Sequence, residues 1–267
     1  MSDDEIEVLD EFPNYGGGGG GERSGGRGAK DQFGRNHRYH FIFSNSIPED
    51  ERRDLFTKIK ALGGYSTGSI FYTREATHCV APNHSSRSGL AVLGCLADHR
   101  KKLVNPAFIR ESFEQGHFLS DTDEKYIPAE FKTISLSRSH GLFRGLRCVI
   151  FLNNKIKADR FVDALEDGGA IVAKNLEMRH FNSLSNEQIK NQIDFVFTEP
   201  DLFNNKRGDS GRVLQNFYTG AMNRARPVRL LSFYYIYEYV YRPRTSREER
   251  AINAYDIKNY HFVNQLH

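Results

Sequence analysis

Three serines enclose an arginine in the segment Ser85-Ser86-Arg87-Ser88, just ahead of the apolar run Leu90–His99. If that run is a helix, its first turn leaves N–H groups unpaired and carries the positive end of the peptide dipole. Serine hydroxyls can cap those groups or donate to an anion. An arginine beside them can grip a phosphate or carboxylate through two parallel N–H bonds. The chemistry on offer is anion binding. The same residues also fit a plain reading, in which one serine is an ordinary N-cap and Arg87 is a solvated surface charge.

Catalytic chemistry has little to build on. The sequence contains no GxSxG, HExxH, GxxxxGK[ST] or GxGxxG motif in a strand–turn–helix setting. Its glycine run, Gly16 to Gly21, lies in a low-complexity arm rather than at a strand–helix turn, where a phosphate would be cradled. Cys79, Cys95 and Cys148 are odd in number and form no CxxC pair. They read as small buried hydrophobes in a reducing compartment rather than as a disulfide framework. His78, Cys79 and His84 come closest to a metal cluster, but a strand and its loop explain that spacing equally well. No enzyme activity, cofactor or metal is expected.

Composition narrows the class further. The chain has 267 residues and is 39% hydrophobic, enough for two folded domains. It has no tryptophan, but 20 Phe and 13 Tyr supply aromatic packing. A formal charge of +3 is too small to identify a nucleic-acid partner. There is no run of about 20 apolar residues and no signal-peptide pattern, so a soluble, intracellular protein is expected.

Residues 1–38 stand apart as an arm, expected to be disordered. It is acidic at first (Asp3, Asp4, Glu5, Glu7, Asp10, Glu11), then glycine-rich, then basic. Within it, Ile6, Val8 and Leu9 beside Asp10-Glu11 resemble a SUMO-interacting motif, which would add as a strand to a sheet edge. The segment GERSGGRGAK resembles Arg/Gly-rich nucleic-acid-binding tails but, with only two arginines, reads better as a flexible linker.

From Tyr39 the periodicity turns regular. Tyr39–Phe43 reads as a strand. The segment from Pro48 reads as a helix, with acids in its first turn, Leu55, Phe56, Ile59 and Leu62 on one face, and Gly63-Gly64 at its end. A strand around Ser69–Tyr72, another at Ala76–Ala81, a helix at Leu90–His99, a strand at Lys102–Val104 and a helix from Pro106 to Gly116 follow. The order repeats: strand Leu146–Leu152, helix Asp159–Glu166 ending at Gly168-Gly169, strands Ala170–Ala173 and Ile193–Thr198, helix Val213–Ala225, strand Val228–Leu231 and helix Phe233–Tyr241. Strands alternating with helices predict a parallel sheet with helices on both faces, built twice. The second copy is longer around Glu177–Asn191 and Leu202–Ser210, which are loop-like in composition.

These segments resemble the BRCT family in its tandem form, over about residues 39–259. The resemblance rests on the glycine pairs that close the first helix of each copy and on Thr77-His78-Cys79-Val80. It rests also on the aromatic last helices (LVNPAFIRESFEQGHFL and PVRLLSFYYIYEYV) and on Leu142-Phe143-Arg144-Gly145-Leu146 opening the second copy. The family's usual tryptophan is replaced by Phe108 and Tyr235. The implied architecture is α/β: two BRCT repeats, each a small central parallel sheet flanked by helices, packed in tandem. Repeat 1 would span 39–128, a linker 129–140, repeat 2 141–259 and a tail 260–267.

The resemblance implies a non-enzymatic nuclear scaffold of the DNA-damage response that binds phosphorylated or unmodified protein partners. Phosphoserine-reading members place the phosphate in repeat 1, which carries over to the Ser44 hydroxyl and the Asn45 N–H. The lysine they use falls on Leu90 or Ala91 here. The Ser86, Arg87 and Ser88 loop would substitute, because a strand end at Ser44 and a helix start after Ser88 share one end of the sheet. Both Ser44 and Arg87 are expected near the surface. The alternatives are a phosphate-independent scaffold and a nucleic-acid-tethering module using the basic arm. SUMO binding through the arm is a further expectation; a membrane partner is not.

Overall fold

A computed structural model describes residues 38–83, 89–172, 193–205, 208–222, 228–241 and 256. In order, the first half contains β1 (His40–Phe43), α1 (Glu49–Ala61), β2 (Tyr65–Ser66), β3 (His78–Val80), α2 (Leu90–Ala97), β4 (Lys102–Val104) and α3 (Pro106–Gln115). A short helix, α4 (Lys132–Ser137), lies in the connection. The second half contains β5 (Arg147–Phe151), α5 (Lys155–Asp167), β6 (Ile171–Val172), β7 (Phe195–Thr198), α6 (Pro200–Asn204), α7 (Asp209–Met222), β8 (Arg229–Ser232) and α8 (Tyr235–Tyr241).

Two separate four-stranded sheets form, ordered β2-β1-β3-β4 and β6-β5-β7-β8. Every pairing within them is parallel. Parallel strands need crossovers, and the helices that make them cover both faces. In β1, Phe41 and Phe43 join Leu55, Ile59, Phe108 and Ile109 under α1 and α3. Ile42 points the other way, into a cluster with Cys79, Ala81, Leu103 and the buried residues of α2. This alternation is the period-two signature of a strand buried on both faces.

The second strand differs in place from the expected Ser69–Tyr72. It is Tyr65–Ser66, because the αL turn at Gly63 (φ 78°) sends the chain straight back along β1, where the Tyr65 N–H donates to the Tyr39 carbonyl at 2.9 Å. Gly68 (φ 73°) then ends it. The glycine pairs are also offset by one between the copies. Gly63 and Gly169 (φ 90°) make equivalent left-handed turns. Their partners Gly64 and Gly168 answer different crowding: a methyl on Gly64 would lie 2.8 Å from the Phe118 ring, and one on Gly168 2.6 Å from Phe143 and 2.9 Å from Ala97. Helix α5 starts a turn earlier than expected because the Asn154 side chain caps it, accepting the Lys157 N–H at 2.9 Å. Helix α6 runs into the stretch expected to be loop.

The two halves pack as one unit. Helix α2 is apolar all round, with Ala91 through Ala97 buried, as suits a helix enclosed on every side. A single cluster joins Leu93 and Leu96 of α2 to Phe161, Ala164 and Leu165 of α5 and to Phe233, Tyr235 and Ile236 around α8, with Leu90 and Tyr239 partly buried against it. Phe108 and Tyr235, at the family's tryptophan positions, are both buried.

Candidate functional site

At the end of β1 the chain leaves the sheet through Ser44 and turns tightly. The Ser44 N–H donates to the Val80 carbonyl at 2.8 Å, and the Ser44 carbonyl accepts the Ile47 N–H at 3.2 Å. Its hydroxyl oxygen accepts the Ser46 N–H at 3.2 Å. Strand alternation puts Ser44 on the α2 side, with Ile42. It is fully buried, contrary to the surface position expected for it, with its N–H, carbonyl and hydroxyl all bonded within the fold. Asn45 next to it is exposed.

Helix α2 begins beside this turn. Its N-cap, Gly89, provides no side-chain bond, and a methyl group there would fall 3.0 Å from Asn45 Oδ1. The exit of β1 and the start of α2 are therefore in van der Waals reach. Leu90 and Ala91 differ in what they can offer. Leu90 is half-buried at the rim of the first turn, whereas Ala91 is 1% exposed and faces the core. Ser86, Arg87 and Ser88 lie outside the described residues, as do Ile6, Val8 and Leu9 of the arm. Of the sequence-derived candidates, Ser44 and Asn45 are thus brought together with the head of α2.

The second half has no counterpart. His40 pairs with Tyr65 in the way Arg147 pairs with Ile171, so Ser44 corresponds to Phe151. Phe151 is buried among Val149, Leu202, Phe203 and Leu214. Where the first repeat has a hydroxyl at the strand end, the second has an aromatic plug.

The sequence reading missed the charged seam between the repeats. Tyr72 and Arg74, from the loop between β2 and β3, reach across to the C-terminal half of α5. The Tyr72 hydroxyl donates to Asp167 Oδ2 at 2.6 Å. Arg74 donates to Asp163 at 2.7 Å and to Glu166, and lies 3.7 Å from Asp167. Burial first, and the bond to Asp167 second, push the Tyr72 phenol well above its usual range. Arg138, from the connection, closes the C-terminus of α2, donating to the carbonyls of Cys95, Leu96 (2.7 Å), Asp98 (3.2 Å) and Lys101 (2.6 Å). A guanidinium there meets the negative end of the helix dipole. No helical spacing or motif announces either contact, because both join residues far apart in sequence.

His78 is locked in place rather than offered to a metal. Its Nδ1 is 2.7 Å from Thr77 Oγ1 and its Nε2 3.1 Å from Asp121 Oδ2. Among the described residues, no three His, Cys, Asp or Glu side chains gather as a metal site. All three cysteines are free and buried, and burial pushes the Cys148 thiol up to about 12.

Two parallel sheets, each with the edge strand β2 or β6 beside the first strand and with one apolar helix of the first copy clamped by two helices of the second, define a tandem BRCT architecture. No family model matches the chain, and no curated protein matches it in sequence. Among solved structures the chain is similar to the BRCT5–BRCT6 domains of S. pombe Brc1, at 13% identity over 76% of this chain and 92% of that one, with a TM-score of 0.46. It is similar also to Rtt107p solved with a phosphorylated histone (14% identity, 76% and 86% covered, TM-score 0.44). A third is Rad4 BRCT1,2 solved with a Crb2 phosphopeptide (12% identity, 76% and 90% covered, TM-score 0.29).

Proposed function

We propose that this chain is a non-enzymatic, nuclear protein-interaction scaffold of genome maintenance that reads a phosphoserine through its first repeat. One observation carries this: the Ser44-Asn45 turn lies against the head of α2, so a strand-end hydroxyl, a loop N–H and a helix N-terminus converge at one place. Phe151 plugs the same place in the second repeat, which makes the feature particular to the first. The Ser44 hydroxyl can keep accepting the Ser46 N–H while its own O–H donates to the phosphate, but for that the buried hydroxyl must be uncovered.

A second reading, a scaffold that docks partners without phosphate, is favoured by Leu90, which stands on the first turn of α2 where a cation would serve the anion. Calorimetric titration of the full chain with matched serine and phosphoserine peptide libraries separates the two. Phosphate-dependent binding that Ser44→Ala weakens about tenfold supports the first. Equal binding of both libraries, unchanged in Ser44→Ala, supports the second.

A further inference from the structure

Beside the charged seam stands a cation that its carboxylates do not serve. Arg74 gathers Asp163, Glu166 and Asp167 from the C-terminal half of α5. Arg160 is one turn earlier on the same helix. Among the described residues it has no hydrogen bond or ion pair; its contact is with Phe71 of the first repeat, over whose ring its guanidinium carbon lies at 3.9 Å.

Phe71 is itself 42% exposed, and Ile156, one turn before Arg160, is 64% exposed. Stacking covers one face of a guanidinium and leaves its N–H edges free, which is the geometry that meets a carboxylate with two parallel bonds. The ring also restrains the arginine, so less freedom is lost when it binds. Phe71 is tied to the end of β1: Ser69, whose hydroxyl accepts the Phe71 N–H at 3.0 Å, accepts the Phe43 N–H on its carbonyl at 2.9 Å. Phe43 is the residue before Ser44. Through Phe71 and Ser69 the stacked arginine of the second repeat is thus linked to the end of β1, from which Ser44 follows.

We propose that Arg160, held by Phe71, is a second anchor for the same partner peptide and takes the carboxylate of an Asp or Glu near the phosphoserine. This deepens the phosphoserine reading and rests on it. The partner is then an acidic phosphopeptide, and binding it bridges both repeats, since Phe71 belongs to the first and Arg160 to the second. A carboxylate suits the site better than an apolar residue, because an apolar residue placed there would leave the guanidinium edges desolvated and unpaired.

The test uses the full chain and peptide libraries carrying a fixed phosphoserine or serine, with Asp or Asn placed in turn at each flanking position. The expected result is one position at which Asp binds about tenfold tighter than Asn. Arg160→Gln abolishes that preference and leaves Asn peptides unaffected. Arg160→Lys keeps part of it, and Phe71→Ala weakens it. Unchanged thermal unfolding of these variants excludes a folding defect. If no position prefers Asp, or if Arg160→Gln keeps the preference, the anchor is overturned while phosphate dependence still stands. If serine and phosphoserine libraries bind alike but the Arg160-dependent preference for Asp persists, the phosphoserine reading fails and the anchor survives. Absence of any peptide binding overturns both, as does competition for Arg160 by a duplex oligonucleotide without an acid preference.

Discussion

The ring of Tyr72 occupies the space that a side chain on Gly94 would need: a methyl group at Gly94 would fall 2.1 Å from it. The glycine in the middle of α2 lets the ring approach the helix closely and deliver its hydroxyl to Asp167 of the second repeat. A helix-interior glycine costs about 1 kcal/mol relative to alanine, yet Gly94→Ala is expected to destabilise the chain here, by about 1–3 kcal/mol, because the ring must be displaced. Tyr72→Phe, which keeps the packing and loses the bond to a carboxylate, should cost about 1.5–3 kcal/mol. Because α2 shares its core with the second repeat, both variants should shift one common unfolding transition. Calorimetry that resolves two transitions in the wild type, only one of them shifted in the variants, contradicts this coupling.

The connection between repeats contains a residue on which α2 depends. Arg138 serves three carbonyls at that helix's C-terminus and a fourth, that of Lys101, just before β4, and burial holds its guanidinium below its usual range. Arg138→Ala leaves those carbonyls without their donor, and a loss of about 2–3 kcal/mol is expected. Arg138→Lys should recover little, since an ammonium cannot fork between several acceptors. Urea midpoints for the three proteins check this; a full rescue by lysine means that charge alone matters.

Stability should depend on pH through His78. Burial, outweighing the bond to Asp121, holds the folded imidazole below the usual histidine range. Nδ1 then accepts from Thr77 while Nε2–H donates to Asp121, which fits a neutral ring. The unfolded chain binds a proton near pH 6.5 and the folded chain does not. Unfolding therefore takes up protons below that pH, and stability, complete above about pH 7, falls as the solution is acidified toward the lower folded value. The urea midpoint from pH 8 to 5 should fall more steeply for the wild type than for His78→Gln. Parallel curves would assign the acid sensitivity elsewhere.

What could be read without coordinates follows from the range of each interaction. Gly63, Gly116, Phe108 and the run Tyr39–Phe43 act within a turn or a strand, and the strand–helix order they imply is the order found. Leu55 and Ile59 were legible as part of one apolar face of α1, and both are buried. The Tyr72–Asp167 bond spans 95 positions and the Arg160–Phe71 stack joins the two repeats. Neither obeys a local period, so neither leaves a mark in the sequence. Ser44 was placed correctly at the strand end but its burial was not, because a two-residue hydroxyl turn covers it and composition cannot register that.

Replacing Leu90 tests the first-repeat site from the opposite direction, by gain rather than loss. Of the two residues that could stand in for the family's lysine, only Leu90 has access to solvent; Ala91 is enclosed. A lysine at 90 can lay its stem where the leucine packs against the core and turn its ammonium outward. It would then stand on the first turn of α2, beside the Ser44-Asn45 turn. Leu90→Lys should raise affinity for phosphoserine peptides by one to two decades, the worth of a charge-assisted hydrogen bond of about 1.5–3 kcal/mol. Affinity for the unphosphorylated peptides should stay as it was. The gain should shrink as salt is raised, since an exposed ion pair is screened. Fluorescence anisotropy on both peptide sets, at two salt concentrations, reads all three. If Leu90→Lys folds normally and shows no phosphate-specific gain, no anion sits at the head of α2, and the phosphate-independent scaffold becomes the better account of this fold's use.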